Sequence, residues 1–279
     1  MNKKGHIALG AAAGSAMLLT GLFVVPRTMD LDGWIPIAIY AAAVITGSLL
    51  PDIDHKTGTV SNYIQFSSRK RRMLRSLTLI GLVIGITLLL LTRWTEIDIP
   101  SAWRQSPPLW IGTGLLCLAL SRLRSLVLIG AGVLLLLAYY LYNWHWIAAF
   151  AGLSLLMVPL IKHRGVIHTP EFAAALSVGV WSFAQAQPEV VTAGIYGLLI
   201  GWWAHLLGDV FGAEGIHSLF IPRFRVALRL FANGSWAERM ITRSCWLISA
   251  GCLLFTQQER LLYIDGLHYP SLQHLLLLS

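Results

Sequence analysis

Apolar residues in this chain gather into continuous runs, without the strict alternation of a half-buried strand or the narrow stripe of a soluble helix. Nine runs stand out, at residues 7–25, 34–50, 77–91, 109–120, 126–141, 147–161, 172–183, 190–207 and 245–255. Such runs predict helices that cross a bilayer, because roughly 20 predominantly apolar residues span its hydrocarbon core. The expected fold is all-α: a polytopic integral membrane helical bundle of about nine transmembrane helices, with the run at 109–120 short for a full crossing. Local signals mark several ends. Pro51 closes the second run, since proline breaks the helical ladder. Thr169-Pro170-Glu171 reads as an N-cap, a first helical residue and an acidic first turn ahead of the seventh. The first run follows Lys3 and Lys4 as a signal peptide's would, but it is longer than the roughly 7–15 apolar residues of such a segment. Another run follows at once, so it is read as a retained helix.

Composition narrows this to one membrane domain over residues 1–279. Hydrophobic residues make up 56% of the chain and charged residues 12%, with a mean hydropathy of +0.66. Soluble domains carry about 25% charged residues. Cys117, Cys245 and Cys252 lie in apolar runs, form no Cys-x-x-Cys pair and read as buried thiols. The net charge of +8 reflects orientation in a membrane, and no nucleic acid is expected as a partner. With a cytoplasmic N-terminus and nine crossings, only Arg27, Arg93, Arg104 and Arg260 of the 21 Lys and Arg residues fall outside. The cytoplasmic set includes a basic loop from Arg69 to Arg75, together with Arg122 and Arg124.

The same topology collects the chain's titratable side chains on one face. Asp52, Asp54 and His55 follow the second run, His163 and His168 precede the seventh, His205 and Asp209 end the eighth, and His6 opens the first. Hydropathy alone defines the runs, so this agreement predicts that the groups meet at the cytoplasmic span ends. His205 and Asp209, four apart, share one face of a helix. His163 and His168, five apart, converge only if Gly165 turns the chain. Asp52 and Asp54 share a side of an extended segment. Singly, each pair also has a plain reading as a helix-terminal hydrogen bond, two loop histidines or a solvated loop. His145, in an aromatic belt, and His268 and His274, in the tail, are left out of the site.

Two carboxylates beside a bilayer need a cationic partner, and a divalent ion neutralises both while using imidazole as well. The candidate ligands are His6, Asp52, Asp54, His55, His163, His168, His205 and Asp209. One tetrahedral zinc uses about four donors. The surplus predicts two ions, or one ion with a general base and supporting carboxylates. Zinc leads on this nitrogen and oxygen donor set, with manganese and iron also compatible. Asp54 or Asp209 could serve as the catalytic proton acceptor.

These residues resemble the YdjM-like family of inner-membrane proteins, described as metal-dependent hydrolases. The resemblance rests on Gly5-His6, Leu50-Pro51-Asp52-Ile53-Asp54-His55, His163-Arg164-Gly165-Val166-Ile167-His168, and His205-Leu206-Leu207-Gly208-Asp209, followed by Gly215, Pro222 and Arg223-Phe224-Arg225. It implies a membrane-bound hydrolase in the bacterial inner membrane. Family members carry threonine where Ile167 stands and again near Phe211 and Gly212, so positioning hydroxyls are lost here while the ligands remain. Shorter members place the first two motifs closer together, which makes residues 76–161 a four-helix insertion.

The expected function is hydrolysis of an ester or phosphoester by metal-activated water, on a lipid-linked or anionic amphiphilic substrate bound by Arg164, Arg223 and Arg225. No Gly-x-Ser-x-Gly elbow is present for a serine hydrolase. A metal or proton transporter would need matching polar groups mid-span or on the far face. A membrane protein with a structural metal is the other alternative. Membrane lipids are the expected partners.

Overall fold

The first helix is set by its cap. The Asn2 side chain accepts a hydrogen bond from the Gly5 amide at 2.9 Å, so α1 (Lys3–Leu19) begins four residues ahead of its apolar run and carries His6 in its first turns. The computed structural model describes residues 1–20, 31–54, 59–94, 99–160, 165–221 and 223–264. The chain continues as α2 (Leu31–Gly47), α3 (Thr59–Tyr63), α4 (Ser68–Trp94), α5 (Ser101–Arg104), α6 (Pro107–Ser121), α7 (Leu123–Tyr142), α8 (Trp146–Met157), α9 (Pro170–Ala184), α10 (Glu189–Phe211) and α11 (Trp236–Ile264). Two short strands, β1 (Ile216–His217) and β2 (Arg225–Val226), pair antiparallel between α10 and α11.

Apart from the short α3 and α5, each helix occupies the place of one apolar run, and the fold is nearly all helical. Among the described residues, α4, α7 and α10 are long and apolar enough to cross a membrane by themselves. Several boundaries differ from expectation. The segment Arg69 to Arg75 is the first part of α4 rather than a loop, because Lys and Arg are good helix formers and polarity alone does not stop a helix. For the same reason α11 starts at Trp236 and takes in Arg239 and Arg243. Only Arg122 separates α6 from α7, and Arg124 lies inside α7. The start of α9 is as expected, with the Thr169 hydroxyl accepting from the Phe172 amide at 3.2 Å.

Contacts along the helices show their directions. Tyr40 donates its hydroxyl to the Gly14 carbonyl at 2.9 Å, which sets α2 antiparallel to α1. Asn2 meets Glu238 and Ala11 meets Ser249, so α1 and α11 run parallel. Tyr40 faces Gly197 and Val44 faces Gly201, so α2 and α10 also run parallel. Successive long helices that alternate in direction give this arrangement among the described residues. It puts the starts of α1, α9 and α11 and the ends of α2 and α10 at one end of the bundle.

The α2–α10 seam holds that end together. A Cβ at Gly201 would meet the Val44 carbonyl, one at Gly197 the Tyr40 carbonyl, and one at Gly47 the Leu198 carbonyl, all well inside contact distance. Small residues spaced four apart thus let two backbones touch, the closest packing available to helices in lipid. Gly201→Leu should separate the helices, at a cost of about 1–3 kcal/mol typical of overpacking. A lowered melting temperature in detergent is expected, while Gly112→Ala and Gly130→Ala, where a Cβ meets nothing within 4 Å, should leave it unchanged.

Candidate metal centre

Four elements deliver side chains to the shared end. Helix α1 brings His6, and α10, which runs on through Phe211, carries His205 and Asp209 on one face. The 3₁₀ turn Pro51–Asp54 after α2 brings Asp52. Gly165 bends the chain into the 3₁₀ turn Val166–His168, which brings His168. Beneath them, Ile167, Phe172, Trp202 and Leu206 form an apolar core against which Leu50 and Ile53 pack.

The donor atoms converge. His205 Nε2 lies 3.5 Å from Asp209 Oδ2 and 3.8 Å from Asp52 Oδ1. His168 Nε2 lies 3.7 Å from Asp52 Oδ1 and 4.0 Å from Asp209 Oδ2, and His6 Nε2 lies 3.6 Å from Asp209 Oδ1. The His6 ring stacks on His205 with centroids 3.9 Å apart. Two overlapping trios result, His6, His205, Asp209 and Asp52, His168, His205, each with its donors within 4.8 Å of one another. Donors at about 2.0–2.2 Å from a tetrahedral ion stand roughly 3.4 Å from each other, so small movements would close either trio on an ion.

The chemistry of the set fits a cation better than it fits hydrogen bonding alone. His205 Nδ1–H donates to the Ser48 carbonyl at 2.7 Å, which leaves Nε2 as the ring's lone-pair atom. That Nε2 is fully buried and has no hydrogen-bond partner among the described residues. Asp209 is 1% exposed, and carboxylates so deeply buried need a charged partner. The Met1 amino group approaches Asp209 Oδ1 at 3.4 Å, but the other oxygen faces imidazoles. Asp52 is different, with its side chain 33% exposed on the open side of the cage. Burial pushes its pKa up, yet His168, His205 and His6 together outweigh this and hold it below the usual carboxylate range.

Of the expected ligands, His6, Asp52, His168, His205 and Asp209 are therefore brought together. His55, His163 and Arg164 lie outside the described residues, as does the side chain of Asp54. Arg223 is exposed on the link between α10 and α11. Arg225 is turned to the link's own backbone, with Nε donating to the Glu214 carbonyl at 2.5 Å and Nη2 to the Ala213 carbonyl at 2.8 Å. His145 caps α8 and approaches Ser182 Oγ at 3.3 Å, at the opposite end of the bundle.

Three supports of the cage had no reading in the sequence. Arg124, 7% exposed, reaches from α7 to the Asp52 turn, donating to the Ile53 carbonyl and, at 2.9 Å, to Ser61 Oγ. Its position next to Arg122 made it look like a loop charge. Glu238, fully buried at the start of α11, accepts from the Asn2 amide at 2.5 Å and from Asn2 Nδ2 at 3.0 Å, and so fixes the entrance of α1. Gly208 lets His6 approach α10, since a Cβ there would stand 3.1 Å from His6 Nδ1. A small residue inside the His205-to-Asp209 motif was the available signal.

His205→Ala and Asp209→Asn should each lower the metal content of protein purified without chelator, while His145→Ala should match the wild type by elemental analysis. Arg124→Gln should keep the ligands but weaken metal affinity by about tenfold, the low end for a lost supporting hydrogen bond.

A family model described as YdjM inner membrane protein matches residues 1–263. No curated protein and no solved structure matches the chain.

Proposed function

The chain belongs to the YdjM inner membrane protein family, and from the shape of its cage we propose that it is a membrane-bound, metal-dependent hydrolase. The observation that carries this reading is the asymmetry of the cage. Four donor residues are at most 2% exposed, whereas Asp52 opens to solvent on one side. Catalytic metal sites keep such an open position, and purely structural ones are closed.

A divalent ion held by His6, His168, His205 and Asp209, with Asp52 beside it at the opening, zinc on this donor set with manganese or iron as substitutes, would polarise a phosphoester or ester oxygen and bring a water's pKa near neutrality. The protein's own groups do the rest. Asp209 touches three imidazoles and serves to hold; Asp52 has the exposed carboxylate and is placed to take a proton from a water in the opening. The Ser48 carbonyl keeps the His205 ring in one tautomer and orientation. A cavity of about 160 Å³ lined by Met1, Gly212, Ala213, Glu214, Ala232 and Asn233 adjoins this end at Met1, whose amino group meets Asp209. The substrate class is a lipid-linked or anionic amphiphile, because a site at the helix ends meets molecules that already reside in the leaflet.

The reading includes nine crossings with the N-terminus and cage on the cytoplasmic side. The alternating helix directions and the division of Lys and Arg support it. Near-complete burial of the other four donor residues favours a second reading, a metal that only staples the bundle.

Hydrolysis of phospholipids and lipid pyrophosphates in micelles should be abolished by chelator and lowered at least tenfold by Asp52→Asn with metal retained. Unchanged turnover in Asp52→Asn would remove it as the proton acceptor, and chelator-insensitive turnover would remove the metal mechanism. A cysteine replacing Ser68 should resist an impermeant thiol reagent in intact cells, while one replacing Ser101 is labelled; the reverse pattern would invert the topology.

A further inference from the structure

The link from residue 212 to 235 leaves α10 three residues after Asp209 and returns to it. The Leu228 amide donates to the Val210 carbonyl at 2.8 Å and the Leu230 amide to the Phe211 carbonyl at 3.0 Å, while Phe231 is buried opposite Gly212. Between these points stands the β1–β2 ribbon. Glu171 on α9 holds it by accepting from Ser218 Oγ and, at 3.0 Å, from the Leu219 amide. Arg225 closes its base on the Ala213 and Glu214 carbonyls.

A ribbon held at so many points has a set orientation, and it presents apolar side chains outward. Phe220 is 80% exposed, Ile221 61% and Phe224 59%, with Leu228 and Leu230 exposed beyond them. A contiguous apolar patch of this kind marks an interaction surface. Charge selects the partner. From Gly215 through Ala237 there is no Asp or Glu, and Arg223 is exposed at the apolar tip and Arg229 at the root of the ribbon. Depth agrees: the ribbon is rooted at the ends of the long helices, and Trp236, an aromatic of the type that marks membrane interfaces, is exposed at the start of α11.

We propose that the ribbon, residues 216–230, is an interfacial wedge. It seats Phe220, Ile221 and Phe224 at the boundary of acyl chains and headgroups, and sets Arg223 and Arg229 on anionic lipid headgroups. The wedge does not depend on the hydrolase reading. It would, however, hold the mouth of the cage at the depth of lipid ester and phosphate groups.

The test is spin-label accessibility in nanodiscs, with labels at Phe220→Cys and Phe224→Cys and a control at Asn233→Cys, in a chain whose three native cysteines are alanine. In phosphatidylglycerol-containing discs, oxygen collisions should exceed those with an aqueous nickel chelate at 220 and 224, and the order should reverse at 233. Arg223→Gln with Arg229→Gln, or discs of phosphatidylcholine alone, should move both labels toward water. Water accessibility at 220 and 224 equal to that at 233 in both lipids would overturn the wedge. So would shielding from both reagents, which signals a protein partner. Insertion indifferent to the arginines and to anionic lipid would overturn the headgroup contact. Amide exchange of the wild-type ribbon, expected to be slower in phosphatidylglycerol discs, reads the same contact without substitutions; equal exchange in the two lipids counts against it. None of these readouts involves turnover, so loss of the hydrolase would leave the result standing.

Discussion

The buried carboxylate of Asp209 governs this end of the protein. A charge taken out of water costs several kcal/mol unless an opposite charge and well-placed donors compensate it. The Met1 amino group meets one oxygen of Asp209 and the other faces the lone pairs of imidazoles, an arrangement that a cation between them would complete. Each element of the cage can be read as an answer to that demand. Helix α10 supplies the carboxylate with its own histidine one turn away, α1 stacks a second ring on the first, and the turn before α9 brings a third. The second carboxylate, Asp52, enters from the turn after α2 and alone keeps contact with water.

Backbone proximity makes this possible. Because Gly47, Gly197 and Gly201 let α2 and α10 touch, the Ser48 carbonyl at the end of α2 reaches the ring of His205. Helices separated by ordinary side chains would stand 8–10 Å apart, roughly, and that carbonyl would fall short. The packing of the seam and the tautomer of a ligand are thus one structural fact. Arg124 adds a longer link, since a helix with no ligand of its own holds the Asp52 turn through Ile53 and Ser61.

What could be read in advance was what short-range chemistry decides. The Thr169 cap, the turn at Gly165, the shared face of His205 and Asp209 and the presence of His6 all follow from a few adjacent residues. The boundaries of α4 and α11 did not, because hydropathy registers the lipid-facing part of a helix and passes over its charged first turns. The seam was hidden among 25 glycines, most of which look alike without knowledge of which helices are neighbours. Arg124 and Glu238 looked like ordinary surface charges, since nothing local foretells a partner that lies 71 or 236 residues away. The link after α10 has no apolar run to mark it, although its exposed residues include Phe220, Phe224, Leu228 and Leu230.

The clamp of Asn2 by Glu238 ties the beginning of α1 to a residue made 236 positions later. His6 emerges first and Asp209 long after, and the carboxylate that steadies α1 comes later still. A growing chain therefore carries its first histidine through the insertion of all the intervening helices before the cage can close around it. Helices paired early, such as α1 with α2 through Tyr40, can wait in the membrane half-assembled. The cage of histidines and carboxylates is a late product of folding, so an unfinished chain does not yet have it complete.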